Sequence, residues 1–189
     1  LPFSNERTWD FTPGHHRIAA VFDAEQCAEI IGYHRGLEHF QAASTAGQES
    51  YRNTDVYWLK HGKRDHVWIY ERLAEVTRVF NDAHYGFEIA ACTDLQLARY
   101  APGQHYDWHS DLGGQGYSRR KLSVAVLLSP LDAFTGGRLE FGIDRFVQAA
   151  EAEPGDAIVF PSWLAHRVTP VTEGERWTLV GWWLGPPFR

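Results

Sequence analysis

His109, Asp111 and His166 are the residues whose types and spacing could do chemistry. On a strand, residues i and i+2 project to the same side, so His109 and Asp111 would offer an imidazole nitrogen and a carboxylate oxygen to one ion. A third ligand must come from a distant strand, and His166, within Pro161–Val168, is the candidate. Two imidazoles and one carboxylate on one face of an ion leave its other positions open. Iron(II) tolerates this mixed nitrogen and oxygen set, and the open positions are where oxygen and a co-substrate would bind. An H-x-D triplet alone is a weak signal in a chain with ten histidines. What strengthens it is order: His166 follows a strand and a turn, and Arg176 follows His166 by ten residues.

Arg176 has its own rationale. A guanidinium grips a carboxylate through two parallel hydrogen bonds, so it could hold the far end of a dicarboxylate that chelates the ion. A surface arginine paired with Glu173 or Glu175 would fit the same position.

The elements that must position these residues change character along the chain. Two helices are expected in the first half. One begins at Asp23, which has capping-box spacing to Gln26, and carries Cys27, Ile30, Ile31 and His34 on one face. The other runs from about Val67 to Ala83, with Ile69, Leu73, Val76 and Phe80 at three-to-four spacing. From Thr93 the period becomes two. Leu95–Tyr100 reads as a strand, followed by the turn Ala101-Pro102-Gly103. Strands are also expected over Leu122–Leu128, after Gly136-Gly137, over Ala157–Phe160 and over Trp177–Trp183. Many short strands between Gly/Pro turns suggest a sandwich or jelly roll with helices packed on one sheet. The reading is one mainly-β domain over residues 1–189, with helical support to about residue 90 and a metal-binding core from about 91.

With these residues in place, Thr93 to Trp183 resembles the 2-oxoglutarate and iron(II)-dependent dioxygenases, closest to the prolyl-4-hydroxylase-like branch. Tyr100-Ala101-Pro102-Gly103 is similar to that branch's Y-x-P-G turn, and His109-Ser110-Asp111 to its H-x-D. Arg120–Ser129 resembles its next core strand, Gly136-Gly137-Arg138-Leu139 its G-G-x-L turn, and Pro154-Gly155-Asp156-Ala157 its P-G-x-A/L element. His166-Arg167-Val168-Thr169-Pro170-Val171 is similar to H-x-V-x-P-V, and Gly174-Glu175-Arg176 to the G-x-R that binds 2-oxoglutarate. Trp182 falls where the branch carries a strand tryptophan.

The resemblance implies a double-stranded β-helix (jelly roll) with iron held by His109, Asp111 and His166. It also implies co-substrate contacts from Arg176 and Tyr100. The implied reaction hydroxylates an unactivated C–H bond with Fe(II), 2-oxoglutarate and O2, releasing succinate and CO2, with ascorbate as a reductant. Asp111 favours hydroxylation, because halogenating relatives replace this carboxylate with a small residue. Some prolyl hydroxylases carry a second tyrosine where this chain has Leu127, which would shift the load onto Arg176 with Thr178.

The substrate stays open between a prolyl or other peptidyl side chain and an amino-acid-like small molecule. Tyr57, Trp58 and Trp108 are candidates for the entrance. Two other classes stay open: a cupin-like metal enzyme that does not use 2-oxoglutarate, and a non-catalytic binding module on the same scaffold.

Bulk properties narrow the field less. The 189 residues suit one domain with a sizeable core. A net charge of −6 argues against nucleic acid as the main partner, despite the basic run Lys60–Arg64. Cys27 and Cys92 form no disulfide framework, which points to a reducing compartment. No stretch reaches the roughly 18 apolar residues of a membrane span, and Leu1–Glu6 lacks a charged-then-apolar leader pattern. A cytoplasmic protein is the expectation, with oligomeric state unread.

Overall fold

The computed structural model describes residues 14–46, 49–113, 115–143 and 145–187. The leader reading of Leu1–Glu6 lies outside the described residues. In chain order the elements are β1 (His16–Ile18), α1 (Ala24–Gly32), β2 (Phe40–Ala46), β3 (Glu49–Leu59), α2 (Val67–His84), β4 (Ala91–Cys92), β5 (Leu95–Tyr100) and β6 (His105–His109). Then follow β7 (Arg120–Leu127), β8 (Phe134–Gly136), β9 (Leu139–Ile143), β10 (Phe146–Ala149), β11 (Ala157–Pro161), β12 (His166–Val168), β13 (Val171–Gly174) and β14 (Arg176–Leu184).

The helices form where their sequence signals lie. Asp23 accepts a hydrogen bond from Gln26 N–H at 2.8 Å, and its own N–H donates to Gln26 Oε1 at 3.0 Å. This closes the capping box that starts α1. α2 buries Ile69, Tyr70, Leu73, Thr77 and Asn81 on one side. Each large apolar side chain covered this way contributes about 1.5–3 kcal/mol.

The main sheet is antiparallel, in the order β1-β11-β7-β14-β5-β3-β6-β12-β9-β10, with β2 paired to β3 and β4 to β14; β8 and β13 form a separate pair. The sheet curls because β3 changes partners. Its Asp55–Leu59 pairs with β5, while Arg52 and Asn53 pair with β6. Two layers result, with β1-β11-β7-β14-β5 on one side and β6-β12-β9-β10 on the other. Ala98 and Tyr100 from the first layer meet Leu139, Phe141 and Val168 from the second in the core between them. The outer face of the larger layer carries α1 and α2 over a second apolar core that includes Leu59, Leu73, Leu95, Leu122, Leu179 and Trp183. This is the mainly-β jelly roll with supporting helices that the turn pattern suggested. The first half is not only helical, however. β1, β2 and β3 all come from it, and β3 lies inside the barrel wall.

Asp156 fastens the N-terminal strand. Its buried carboxylate accepts from the backbone N–H groups of Ala20 and Glu153 and from Arg17 Nε. The basic run Lys60–Arg64 is exposed, and Asp94 accepts from Lys60 Nζ and from His61 N–H. Cys27 and Cys92 are free, and burial pushes both thiols up, to about 11 and about 12. Both are therefore inert at neutral pH. No described helix is long and apolar enough to cross a membrane.

Candidate metal centre

β6 and β12 lie side by side, and His109 stands directly opposite His166 in their register. β6 ends at His109, so Asp111 lies just beyond the strand, in a bend. Two things bring it back to the same point: Leu112 N–H donates to Ser162 O at 2.9 Å, and Ser123 Oγ donates to Asp111 Oδ2 at 2.6 Å. The strand alternation expected from the sequence is thus replaced by an anchored bend with the same outcome. One ligand atom from each of His109, Asp111 and His166 lies within 4.8 Å of the others. His109 Nε2 is 3.9 Å from Asp111 Oδ1, and His166 Nε2 is 3.7 Å from Asp111 Oδ2.

The tautomers follow from the backbone. His109 Nδ1 is 2.7 Å from Asp107 O, and His166 Nδ1 is 2.9 Å from Leu164 O. A carbonyl only accepts, so both Nδ1 atoms carry the proton, and both Nε2 lone pairs are free for a cation. Tyr106 stacks on the His109 ring at 3.5 Å, and Phe160 meets the His166 ring edge-on at 4.7 Å. Burial, reinforced by His166, pushes His109 down to about 4, against the pull of Asp111. It is therefore neutral, as a ligand must be, at physiological pH. Burial alone would raise the Asp111 carboxyl. His166, the Ser123 hydroxyl and His109 outweigh it and hold the group below the usual carboxylate range. The nearby Trp182 indole N–H adds to this lowering, although it is buried outside hydrogen-bonding geometry with any acceptor. The donor set fits a divalent iron: two imidazoles whose Nδ1 atoms face backbone carbonyls, one carboxylate and an open side.

That open side is a cavity of about 380 Å³, and Tyr100, Arg176, Thr178 and Trp182 line it together with the three ligand candidates. Arg176 and Tyr100 are cross-strand partners on β14 and β5, with the guanidinium 5.7 Å from the ring centre. Arg176 is 6% exposed, and burial pushes it down to about 10. Among the described residues it has no ion pair and no side-chain hydrogen bond. Glu175 is taken by Arg99, and Glu173 is exposed, so neither serves as its partner. The turn at Gly137 leaves room for it: at φ +59°, a Cβ there would lie 2.8 Å from Arg176 Cδ. Tyr100 and Thr178 are also buried, with hydroxyls that have no hydrogen-bond partner among the described residues. The polar ends of all three open onto the cavity without a partner among the described residues, so together they offer a polar ligand its contacts.

Leu127, opposite Thr178, lines a smaller adjoining cavity on the other side of Arg176. Of the three aromatics considered for the entrance, Trp58 lines the main cavity. Tyr57 packs into the helix-side core. Trp108 lies under the Arg167 guanidinium, 4.7 Å away. Sequence reasoning did not single out Ser123 and Ser162, whose hydroxyls are 3.0 Å apart behind Asp111. A serine at an inward position of an apolar strand was the available signal. Nor did it single out Arg52 and Arg120 in the cavity wall.

Comparison with known proteins agrees with this geometry. The model of a family described as the 2OG-Fe(II) oxygenase superfamily matches residues 95–184. A PKHD-type hydroxylase of Crocosphaera subtropica is 34% identical over 91 residues, 47% of this chain and only 41% of the relative. The match therefore spans about two fifths of that relative's length. A PKHD-type hydroxylase of Synechococcus elongatus is 30% identical over 183 residues, 91% of this chain and 80% of the relative. The crystal structure of a Pseudomonas putida prolyl-4-hydroxylase superposes with a TM-score of 0.73 at 22% identity, over 93% of this chain and 94% of that one. A Trichoplax adhaerens prolyl hydroxylase, solved with a hypoxia-inducible-factor peptide fragment, gives 0.73 at 18% identity, over 92% and 84%. By its likeness to the Synechococcus relative along most of its length, the chain belongs with the PKHD-type hydroxylases of the 2OG-Fe(II) oxygenase superfamily, and it shares the fold of the prolyl hydroxylase structures.

Proposed function

We propose that residues 1–189 act as one Fe(II)- and 2-oxoglutarate-dependent hydroxylase domain. One observation carries this reading: a buried guanidinium without a counter-ion among the described residues, Arg176, shares a cavity with the candidate ligand group of His109, Asp111 and His166. His109, Asp111 and His166 are the metal ligands. Arg176 holds the far carboxylate of the co-substrate, with the Tyr100 and Thr178 hydroxyls beside it. When bound, iron(II) and 2-oxoglutarate supply the O2-dependent hydroxylation of a C–H bond, with succinate and CO2 as products.

The chain's own residues have three tasks. The backbone carbonyls of Asp107 and Leu164 keep the Nε2 lone pairs turned towards the ion. Ser123 fixes the Asp111 carboxylate. The walls around Phe160 and Leu139 keep the site dry, which strengthens every charge interaction in it. The substrate is a prolyl or peptidyl side chain or an amino-acid-like molecule. The Trichoplax relative, with its peptide fragment, supports the peptidyl alternative. The two free thiols fit a reducing, cytoplasmic setting.

The test is succinate formation by the purified chain with Fe(II), ascorbate, O2 and 2-oxoglutarate, beside His109→Ala. Succinate that disappears in the variant is the expected result. Turnover that does not need 2-oxoglutarate would favour a cupin-like enzyme. Ligand binding without succinate would favour a non-catalytic module.

A further inference from the structure

Two guanidiniums in the cavity wall have no task in the function proposed above. Arg52 on β3 and Arg120 on β7 both line the cavity. Arg52 lies 4.4 Å over the Tyr106 ring and gives one hydrogen bond, from Nη2 to the neutral Gln96 Oε1 at 3.2 Å. Its Nε is buried without an acceptor. Arg120 lies 3.9 Å over Trp182 and 4.5 Å over Tyr117. It donates one long bond, 3.4 Å, to the Asp111 carbonyl, and its Nη1 is 4.0 Å from Asp111 Oδ1. That carboxylate is already committed to Ser123 and the ion. A guanidinium carries five N–H donors. Among the described residues each of these two, held over aromatic rings, spends one hydrogen bond.

Both guanidiniums flank the ligand group: Arg52 lies over Tyr106, whose ring stacks on His109, and Arg120 reaches the Asp111 carbonyl. Charge sets them apart from the co-substrate. A divalent ion, Asp111, a doubly charged co-substrate and Arg176 balance to neutrality. Arg52 and Arg120 are then two surplus positive charges in a wall that has no other carboxylate among the described residues.

We infer that Arg52 and Arg120 form a carboxylate clamp for the substrate, so that the molecule oxidised bears a carboxylate near the C–H bond it presents. The planar fork of each guanidinium matches that group, and the aromatic rings behind them fix the forks in advance. The carboxylate belongs either to a free amino acid or similar compact acid, or to an acidic or C-terminal residue of a peptide. This inference rests on the hydroxylase reading.

The experiment is calorimetric titration under argon, with the chain loaded with Fe(II) and 2-oxoglutarate. The probes are matched pairs: free amino acids against their amides, and short peptides ending in an acid or carrying Glu against their amide counterparts. In one of the two arms the acid is expected to bind at least tenfold tighter, roughly the weight of one charge-assisted contact. The arm that responds identifies the source. In Arg52→Gln/Arg120→Gln the preference should collapse to below about threefold, and Arg52→Lys/Arg120→Lys should recover part of it. If the Gln variant does not fold, the acid-against-amide comparison on the native chain still decides. A native chain that binds 2-oxoglutarate but prefers amides, or does not discriminate, overturns the clamp. So does a Gln variant whose 2-oxoglutarate affinity falls as far as that of Arg176→Gln, since the two arginines would then belong to the co-substrate. A native chain that binds no 2-oxoglutarate removes the hydroxylase reading itself, and the clamp with it.

Discussion

On one side of β14, Trp177, Leu179 and Trp183 are buried in the apolar core under α1 and α2; on the other side Arg176, Thr178, Val180 and Trp182 line the cavity. β5 and β7 repeat the division. Leu95, Leu97, Leu122, Val124 and Val126 face the helices, while Gln96, Tyr100 and Ala125 face the cavity. The helix-side face is the more completely covered, Val180 and Ala125 on the cavity side being only partly buried, and the two faces differ in what burial does. On the helix side, apolar contact stabilises the fold directly. On the cavity side, polar groups open onto the cavity, and two atoms, Arg52 Nε and Trp182 Nε1, are buried without a hydrogen-bond partner among the described residues, which costs stability. The alternation of a strand lets one backbone serve both ends.

This contrast can be broken or sharpened by substitution. The largest effect on activity is expected from Asp111→Ala, which removes the proposed anionic ligand. 2-Oxoglutarate turnover should fall on the order of a thousandfold, and added metal should no longer raise the melting temperature. Leu179→Ala, one residue away from the cavity face, should instead cost about 2–5 kcal/mol in denaturant unfolding. The folded fraction of that variant should retain its affinity for 2-oxoglutarate. If both variants damaged stability and chemistry alike, the division of labour would not hold. Arg176→Gln sharpens it further. The dissociation constant for 2-oxoglutarate should rise roughly ten- to hundredfold. Stability without ligand should be unchanged or higher, because an unpaired buried charge has been removed. A clear loss of stability in the ligand-free variant would mean that the guanidinium has a structural partner after all. The smallest effect is expected from Ser123→Ala, which frees one oxygen of Asp111. Metal affinity should drop on the order of tenfold, read by metal titration, with little change in unfolding.

The sequence showed the helix-side face and the ligand group for different reasons. α1 and α2 announce themselves because an exposed helix needs a 3.6-residue stripe and, here, a capping box at Asp23. The ligand candidates are visible because H-x-D, weak on its own, is followed in order by His166 and by Gly174-Glu175-Arg176. β2 and β3 were not visible. Phe40–Ala46 holds one large apolar residue and no alternation. In β3, Thr54, Asp55, Val56 and Tyr57 are all buried, so the period of two is masked by cover on both faces. Arg52 was unreadable for a related reason. Its meaning depends on Gln96 and Tyr106, partners in space that lie 44 and 54 positions further along the chain.

The partner-switching strand β3 and the register of His109 with His166 also bear on how the chain reaches its native state. Every contact that closes the cavity joins distant stretches of sequence: β3 with β6, β14 with β5 and β7, and β12 with β6. Non-local topologies of this kind cross their folding barrier slowly, in milliseconds to seconds. The ligand group does not exist before that barrier is crossed, since its histidines are 57 residues apart. An ion cannot then act as a folding nucleus. Adding the divalent metal during refolding should leave the rate of barrel closure unchanged and slow only the reverse, unfolding step.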